Sequence, residues 1–142
     1  MKILIINGPN LNMLGKRDKS HYGSFTLEEV NQQIKDKYLD VQFEFYQSNH
    51  EGSIIDKIQN SFHYDALIIN AGGYTHTSIS IRDALEILDI LKVSVHLSNY
   101  LEREDFRRVD YLKDVVLKVF YGKRINSYFE AIDYLIAKNK EN

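Results

Sequence analysis

The sequence predicts an α/β protein, a flavodoxin-like three-layer sandwich with a five-stranded parallel sheet of strand order 2-1-3-4-5. Two observations predict this fold. Five short apolar runs alternate along the chain with helical patterns, and each run is followed by polar or glycine-containing residues. Single helices between consecutive strands favour right-handed crossovers and a sheet that is covered on both faces. A length of 142 residues fits one domain, which we assign to residues 1–142.

The predicted elements follow one another in a regular order. The strands are residues 3–6, 41–46, 66–69, 93–97 and 115–120. Residues Thr26 to Glu29 form a capping box, which predicts a helix that reaches about Tyr38. The other helices are predicted from apolar side chains at helical spacing: Ile54, Ile55, Ile58 and Phe62, then Ile81, Ala84, Leu85 and Leu88, and then Tyr128, Ile132, Leu135 and Ile136. Residues 14–24 form a long polar connection, which is typical of a lid or a binding loop.

Composition and charge exclude several classes of function. The chain has no cysteine, so disulfides and zinc-thiolate sites are excluded. Its 18 basic and 20 acidic residues are interleaved and give a net charge of −2, which leaves no basic stripe for nucleic acid. The apolar start, residues 1–7, is too short for a secretory signal or a membrane span. We therefore expect a cytoplasmic protein with no nucleic-acid and no membrane partner.

Cofactor sites also lack a sequence signal. The five histidines do not have metal-ligand spacing, and no glycine-rich phosphate loop follows a strand. No metal, dinucleotide or nucleoside triphosphate is expected. A phosphoacceptor or flavin domain of the same fold has little support, because no acidic cluster follows the first strand.

Polar side chains follow the predicted strands and should meet at one edge of the sheet. In open α/β sheets, ligands bind beyond the carboxyl ends of the strands. The first four strands lead into N-G-P-N at residues 7–10, Q-S-N at 47–49, N-A-G-G at 70–73 with T-H-T at 75–77, and H-L-S-N at 96–99. Amides, hydroxyls and imidazoles in one place suit a small polyhydroxylated molecule.

Each of these polar residues also has a simpler interpretation. Asn10, Asn70 and Asn99 are candidates for satisfying backbone groups in turns as much as for binding a ligand. His76 lies just before a predicted helix and is a candidate N-terminal cap. His96 stands within an apolar strand, where an imidazole needs a hydrogen-bond partner or a chemical task, and a satisfied core histidine is the commoner case.

Two arginines and a tyrosine leave further alternatives open. Arg103 and Arg107 are four residues apart, so they are candidates for one helical face, either as surface ion pairs or as an anchor for a substrate carboxylate. Tyr22 lies near Arg17 in the polar loop. A neighbouring guanidinium favours phenolate over phenol, which is what a tyrosine needs in order to act as a general base.

Several longer motifs resemble one known family. I-N-G-P-N-L-N-M-L-G-K-R followed by H-Y-G, in residues 6–23, resembles the opening signature of type II 3-dehydroquinate dehydratases. F-Y-Q-S-N-H-E-G, N-A-G-G-Y-T-H-T-S-I-S-I-R-D-A, V-H-L-S-N and R-E-D-F-R resemble further blocks of that family, in the same order and at the same spacing. The resemblance extends from Met1 to about Arg108.

This resemblance implies a cofactor-free lyase of the shikimate or quinate pathway, which removes water from 3-dehydroquinate to give 3-dehydroshikimate. By residue matching, Tyr22 is the base that takes the proton next to the ketone, and His96 is the acid that protonates the departing hydroxyl. Arg17 favours the phenolate of Tyr22 and stabilises negative charge in the transition state, and Asn10 helps to place the water or groups that stabilise the enolate. Positions that hold the substrate are matched by Asn70, His76, Leu97, Ser98 and Arg107. Asp83 matches a residue that a neighbouring subunit contributes, in a homo-oligomer of trimers assembled into a dodecamer.

The chain departs from the family pattern at three places. Ser94 replaces the family glutamate two residues before the histidine acid; residues two apart on a strand share a face, so that glutamate would favour the protonated imidazole. Serine supplies no charge, so we expect His96 to be protonated less often, and thus to be a less effective catalytic acid, unless another carboxylate approaches it. Arg124 and Ser127 stand at two family glycine positions in residues 122–128, which affects packing and assembly more than chemistry. Lys19 replaces a lid proline and should loosen the open loop.

The departures motivate a second hypothesis. A protein that keeps the pocket but binds a related ring acid without converting it, as a sensor or partner subunit, would also fit the motifs, since a fold does not fix a function. The active dehydratase is the leading interpretation, because the base, its arginine, the acid and the substrate-binding residues are all present.

Overall fold

A computed structural model of the chain describes residues 1–141. The five strands are β1 (Lys2–Asn7), β2 (Gln42–Gln47), β3 (Ala66–Asn70), β4 (Leu91–His96) and β5 (Val119–Tyr121). The α-helices are α1 (Lys19–Tyr22), α2 (Leu27–Lys37), α3 (Glu51–Gln59), α4 (Ile79–Ile87) and α5 (Ile125–Lys140). Short 3₁₀ turns lie at Leu11–Met13, Gly72–His76, Tyr100–Glu102 and Asp105–Arg108. Among the described residues, no helix is long and apolar enough to cross a membrane.

The strands form one parallel sheet with the order β2-β1-β3-β4-β5, so the predicted fold class and strand order are confirmed. The register places Asn7 of β1 between Gln47 of β2 and Asn70 of β3. The strand order reverses at β1, because β2 is added on one side of β1 and β3 on the other. The polar ends of the strands therefore meet where this fold binds ligands.

Two apolar layers cover the sheet because its side chains alternate between the two faces. Ile3 and Ile5 of β1 face the cluster formed with α2 and α5, whereas Leu4 and Ile6 face the cluster formed with α3 and α4. All four of these side chains are fully buried. Burial on both faces explains why the strands are continuous apolar runs rather than alternating ones.

The fifth strand differs from its prediction. Residues 115–120 were expected to be extended, but the strand is Val119–Tyr121. The carboxylate of Asp110 accepts hydrogen bonds from the backbone N–H groups of Leu112 and Lys113, and Val115 N–H donates to Leu112 O, so the chain is still turning at residue 115. Val115 packs against the α3/α4 layer from this turn. Its apolar character therefore reflects burial in a turn, not strand pairing.

A second difference concerns the helix that was predicted from Ile54 to Phe62. Helix α3 ends at Gln59, and Asn60 closes it with backbone and side-chain hydrogen bonds to Asp56 O. Phe62 lies beyond the helix and is 54% exposed. The fourth apolar residue of the pattern is therefore not part of the buried helical face.

Candidate active site

A cavity of about 150 Å³ lies beyond the carboxyl ends of β1, β3 and β4. Every predicted site residue except Asp83 lines this cavity. Those residues are Asn10, Arg17, Tyr22, Asn70, His76, His96, Leu97, Ser98 and Arg107. Its walls also contain Tyr100 and Arg103, which were not among the predicted site residues.

The polar connection of residues 14–24 folds over this cavity. It contains helix α1, which Asp18 caps by accepting a hydrogen bond from Ser20 N–H at 2.9 Å. Gly23 ends the helix at φ +86°, a conformation that favours glycine. The turn between these two residues carries Tyr22 to the cavity, so the connection has the arrangement expected of a lid.

Two guanidinium groups contact the hydroxyl of Tyr22. Arg17 donates a hydrogen bond from Nη2 to Tyr22 Oη at 2.6 Å, and its guanidinium carbon lies 3.7 Å from the ring centroid. Arg103 donates a second hydrogen bond to the same oxygen from the loop after β4. Burial lowers the pKa of Arg17, an effect that the neighbouring tyrosine opposes. Two hydrogen-bond donors and two positive charges therefore meet at the one phenol oxygen of Tyr22.

Asn10 and Asn70 are held by the ends of β1 and β3. Asn10 has φ +70°, and its backbone N–H donates to Asn49 Oδ1 at 3.0 Å. Asparagine is one of the few side chains that tolerates this conformation. Asn70 Oδ1 accepts from Gly72 N–H at 3.2 Å, and Asn70 Nδ2 donates to the Tyr128 hydroxyl at 3.0 Å. Asn70 thus satisfies a turn and also lines the cavity, so its two interpretations are compatible.

His96 is the last residue of β4 and is only 6% exposed. Within residues 1–141, its Nε2 atom has no hydrogen-bond partner. Burial lowers the pKa of His96 to about 4; Asp110 opposes this effect and His76 adds to it. In the ligand-free protein the imidazole is therefore neutral at pH 7, and Ser94, which shares its face of the strand, brings no negative charge to oppose the effect of burial.

His76 and Arg107 also line the cavity. His76 does not cap α4; Ser78 does, by accepting a hydrogen bond from Ile81 N–H. His76 Nδ1 instead lies 2.6 Å from Val109 O, which fixes the ring facing the cavity.

Arg103 and Arg107 do not share a helical face, contrary to one interpretation of their spacing. They belong to successive short turns, because Arg103 ends the 3₁₀ turn Tyr100–Glu102 and Arg107 lies in the next one. Arg107 Nε pairs with Glu104 Oε1 at 3.0 Å and also lines the cavity, so an ion pair and a ligand site coexist at this residue.

Asp83 lies outside the cavity. It is exposed on α4, where Ile79 and Ile87 are also exposed, at 56% and 68%. Within one copy of the chain, Asp83 is therefore not among the residues that could contact a ligand in the cavity.

Arg124 and Ser127 occupy the altered glycine positions before and within α5. Arg124 has φ +54° and ψ −132°, a conformation that glycine adopts without strain, and its guanidinium donates to Ser20 O in the lid at 3.2 Å. Ser127 is fully buried, and its Oγ accepts from Lys123 N–H at 3.0 Å. Arg124 thus joins the start of α5 to the lid.

Sequence reasoning missed Tyr100 and Asp110, and it missed the contact between Arg103 and Tyr22. Arg103 was considered only together with Arg107, as a surface ion pair or as an anchor for a substrate carboxylate. Tyr100 packs on His96 with ring centroids 4.3 Å apart, and its hydroxyl donates to Asp110 Oδ2 at 3.0 Å. All three residues lie between β4 and β5, in short turns whose sequence spacing does not predict which side chains meet.

The cavity combines the parts of an acid-base site. A phenol oxygen that accepts hydrogen bonds from two guanidinium groups and a buried imidazole line the same space, together with amides and a guanidinium that suit hydroxyl and carboxylate groups. Among residues 1–141, no cluster of three or more histidine and carboxylate side chains is arranged to hold a metal ion.

Comparison with known proteins agrees with the resemblance seen in the motifs. The family model Dehydroquinase class II matches residues 1–136. The 3-dehydroquinate dehydratases of Thermotoga petrophila and Fusobacterium nucleatum are 46% and 47% identical to the chain; the alignments cover 99% of both proteins in the first case, and 96% of this chain and 97% of the relative in the second. The crystal structure of the type II dehydroquinase from Butyrivibrio crossotus superposes with a TM-score of 0.92 at 46% identity, and covers 95% of this chain and 97% of the other. The chain therefore belongs to the dehydroquinase class II family.

Proposed function

We propose that this protein removes water from 3-dehydroquinate to give 3-dehydroshikimate through an enolate, with Tyr22 as the base and His96 as the acid. One observation carries the proposal: the Tyr22 hydroxyl accepts hydrogen bonds from Arg17 and Arg103 in the same cavity that contains the buried His96. Family membership and relatives named for this activity support the same reaction.

In the first step, the phenolate of Tyr22 takes the proton from the carbon next to the ketone. The electron pair of that C–H bond moves into the ring and places negative charge on the ketone oxygen. Arg17 and Arg103 stabilise the phenolate before the transfer, and Asn10, which also lines the cavity, helps to place the water or groups that stabilise the enolate.

In the second step, the enolate collapses and the carbon–oxygen bond to the departing hydroxyl breaks. His96 donates a proton to that oxygen, so water leaves and the enone forms. Imidazole is neutral in the free protein at pH 7, and the negative charge of the bound ring acid and of the enolate favours uptake of the proton that His96 must deliver.

The remaining cavity residues hold the ring acid. Arg107 suits the carboxylate, and Asn70 and His76 suit the hydroxyls, since amides and imidazoles both donate and accept hydrogen bonds. The backbone N–H groups of Leu97 and Ser98 are further candidates for the carboxylate. Asp83 takes part only if another copy of the chain brings it to this cavity, and we include the homo-oligomer of trimers in the proposal on that basis.

The test compares the wild type with Tyr22→Phe. Turnover of 3-dehydroquinate is followed by the absorbance of the enone product, and binding of the ring acid by calorimetry. We expect turnover to fall by about 10² to 10⁴-fold while binding is retained, because a general base contributes a factor of that size. Tyr46→Phe, which alters a tyrosine outside the cavity, is the matched control.

Two results would contradict the proposal. Near-normal turnover by Tyr22→Phe would show that another group is the base. Binding without turnover by the wild type would favour the second hypothesis, a family member that binds the ring acid as a sensor or partner subunit.

A further inference from the structure

His96 lies in a cluster of buried side chains that extends beyond the catalytic cavity. The Tyr100 ring packs on the His96 ring with centroids 4.3 Å apart, and the Tyr100 hydroxyl donates to Asp110 Oδ2 at 3.0 Å. Asp110 is only 7% exposed although it carries a carboxylate. Burying a carboxylate is costly, so one held beside a histidine calls for a physical reason.

The turn after Asp110 accounts for the contacts of only one of the two carboxylate oxygens. Asp110 Oδ1 accepts from the backbone N–H groups of Leu112 and Lys113 at 2.9 and 3.1 Å, which a neutral side chain could also do. The other oxygen, Oδ2, accepts the hydrogen bond from the Tyr100 hydroxyl, and the ring of Tyr100 packs on the ring of His96. The carboxylate is therefore held one side chain away from the imidazole, and its negative charge opposes the lowering of the His96 pKa by burial.

Other titratable groups around His96 do not supply negative charge. The ring of His76 lies 6.4 Å from that of His96, and Tyr121 of β5 packs on Tyr100 at 5.5 Å. Position 94, on the same strand face as His96, is a buried serine. The charged residues in the cavity walls are cations, namely Arg17, Arg103 and Arg107.

We propose that Asp110, held in place by the Tyr100 hydroxyl, is the positioning residue whose negative charge supports the protonated form of His96. This inference rests on the proposed function of His96 as the acid. It accounts for a neutral residue at position 94, because the carboxylate comes from the loop after the 3₁₀ turn Asp105–Arg108 instead of from the strand.

Loss of the charge has a characteristic pH signature. Above the pKa of His96, the protonated fraction falls tenfold for each unit by which that pKa is lowered. Asp110→Asn removes the charge and keeps the shape of the side chain. We expect kcat about tenfold lower at pH 7 to 8, the change for one pKa unit, with a difference that disappears toward acidic pH. A damaged fold would instead lower kcat at every pH.

The experiment measures two quantities on the full-length protein. One is the pH profile of kcat with 3-dehydroquinate, and the other is the NMR titration of His96 in histidine-labelled, ligand-free protein. In Asp110→Asn the midpoint of the His96 titration should move to lower pH. Asp110→Ser, which keeps a turn acceptor without the charge, should give the same shift. Asp114→Asn, an exposed carboxylate of the same segment, is the control and should leave both quantities unchanged.

Rescue provides a further readout. Adding Ser94→Glu to Asp110→Asn returns a carboxylate to the face of β4 that carries His96, and should restore most of the lost kcat at neutral pH.

The inference is overturned if both Asp110 variants leave the His96 titration in place, or if they lower kcat by the same factor at all pH values. The titration needs no turnover. If the wild type is inactive while the Asp110 variants still move the titration of His96, the proposed function fails and the pairing of these groups stands.

Discussion

Tyr128 connects the core to the site, and its hydroxyl offers a sharp test of how the site is held. The side chain is 1% exposed, donates a hydrogen bond to Asn7 Oδ1 and accepts one from Asn70 Nδ2 at 3.0 Å. Burial raises its pKa, so the hydroxyl stays protonated and able to donate. Tyr128→Phe removes this one oxygen and leaves both asparagine partners in place.

The expected cost follows from the two partners left unpaired. Asn7 and Asn70 are 1% and 4% exposed, so water does not readily replace the hydroxyl. An unsatisfied buried polar group costs about 1–3 kcal/mol, which gives roughly 3 kcal/mol for the pair after partial relaxation. For a chain of this size, that corresponds to a Tm lower by about 6–12 °C. Since Asn70 keeps only its bond to Gly72 N–H, KM for 3-dehydroquinate should rise as well.

The assay is urea unfolding followed by far-ultraviolet circular dichroism, because the chain has no tryptophan to report by fluorescence. Wild type and variant are compared at one protein concentration, since assembly would contribute to apparent stability. Tyr134→Phe, on the same helix and outside this network, is the matched control and should change stability by less than about 0.5 kcal/mol. A Tyr128→Phe variant as stable as the control would refute the view that this hydroxyl supports the site.

Two further predictions follow from backbone strain and from burial. Arg124 has a left-handed φ of +54°, and its guanidinium contacts Ser20 O. Arg124→Gly should be more stable than Arg124→Ala by about 1 kcal/mol, because both variants lose that contact but only alanine keeps the backbone strain. Equal unfolding free energies for the two variants would contradict this. Burial lowers the pKa of His96 to about 4, so between about pH 6.5 and pH 4 this imidazole is protonated in the unfolded chain but not in the folded one. The free energy of unfolding should therefore fall as the pH drops from about 6.5 toward 4. The loss should be about 2 kcal/mol between pH 8 and pH 5, and His96→Asn should reduce it; an unchanged pH dependence would exclude His96 as its source.

The fold was predictable because it depends on local signals. Apolar runs buried on both faces, the capping box at Thr26 and single helices between strands determine a parallel sheet, and Thr26 indeed caps α2 with Glu29 in the expected reciprocal pair. The end of α3 and the position of β5 were not predictable, because Phe62 and Val115 have the apolar character of the elements next to them. Their surroundings, and not their sequence, exclude them from helix and strand.

Strand order alone predicted the site only where residues follow strands, whereas Arg17, Tyr22 and Arg107 were assigned to it through the family resemblance. Asn10, Asn70 and His96 come directly after or at the ends of β1, β3 and β4, so topology alone places them at one edge. Arg103 and Tyr22 are 81 residues apart and meet only because the lid folds over the loop after β4. Asp110 was beyond reach for the same reason, since its link to His96 passes through a third side chain.

The most direct test of the proposed dehydratase function is the reaction itself. Purified protein is mixed with 3-dehydroquinate in the presence of a chelator, and the absorbance of the enone product is followed over time. We expect a steady, protein-dependent rise that the chelator does not reduce and that Tyr22→Phe slows by about 10² to 10⁴-fold. No rise from the wild type, with calorimetry still detecting bound ring acid, would contradict the dehydratase assignment.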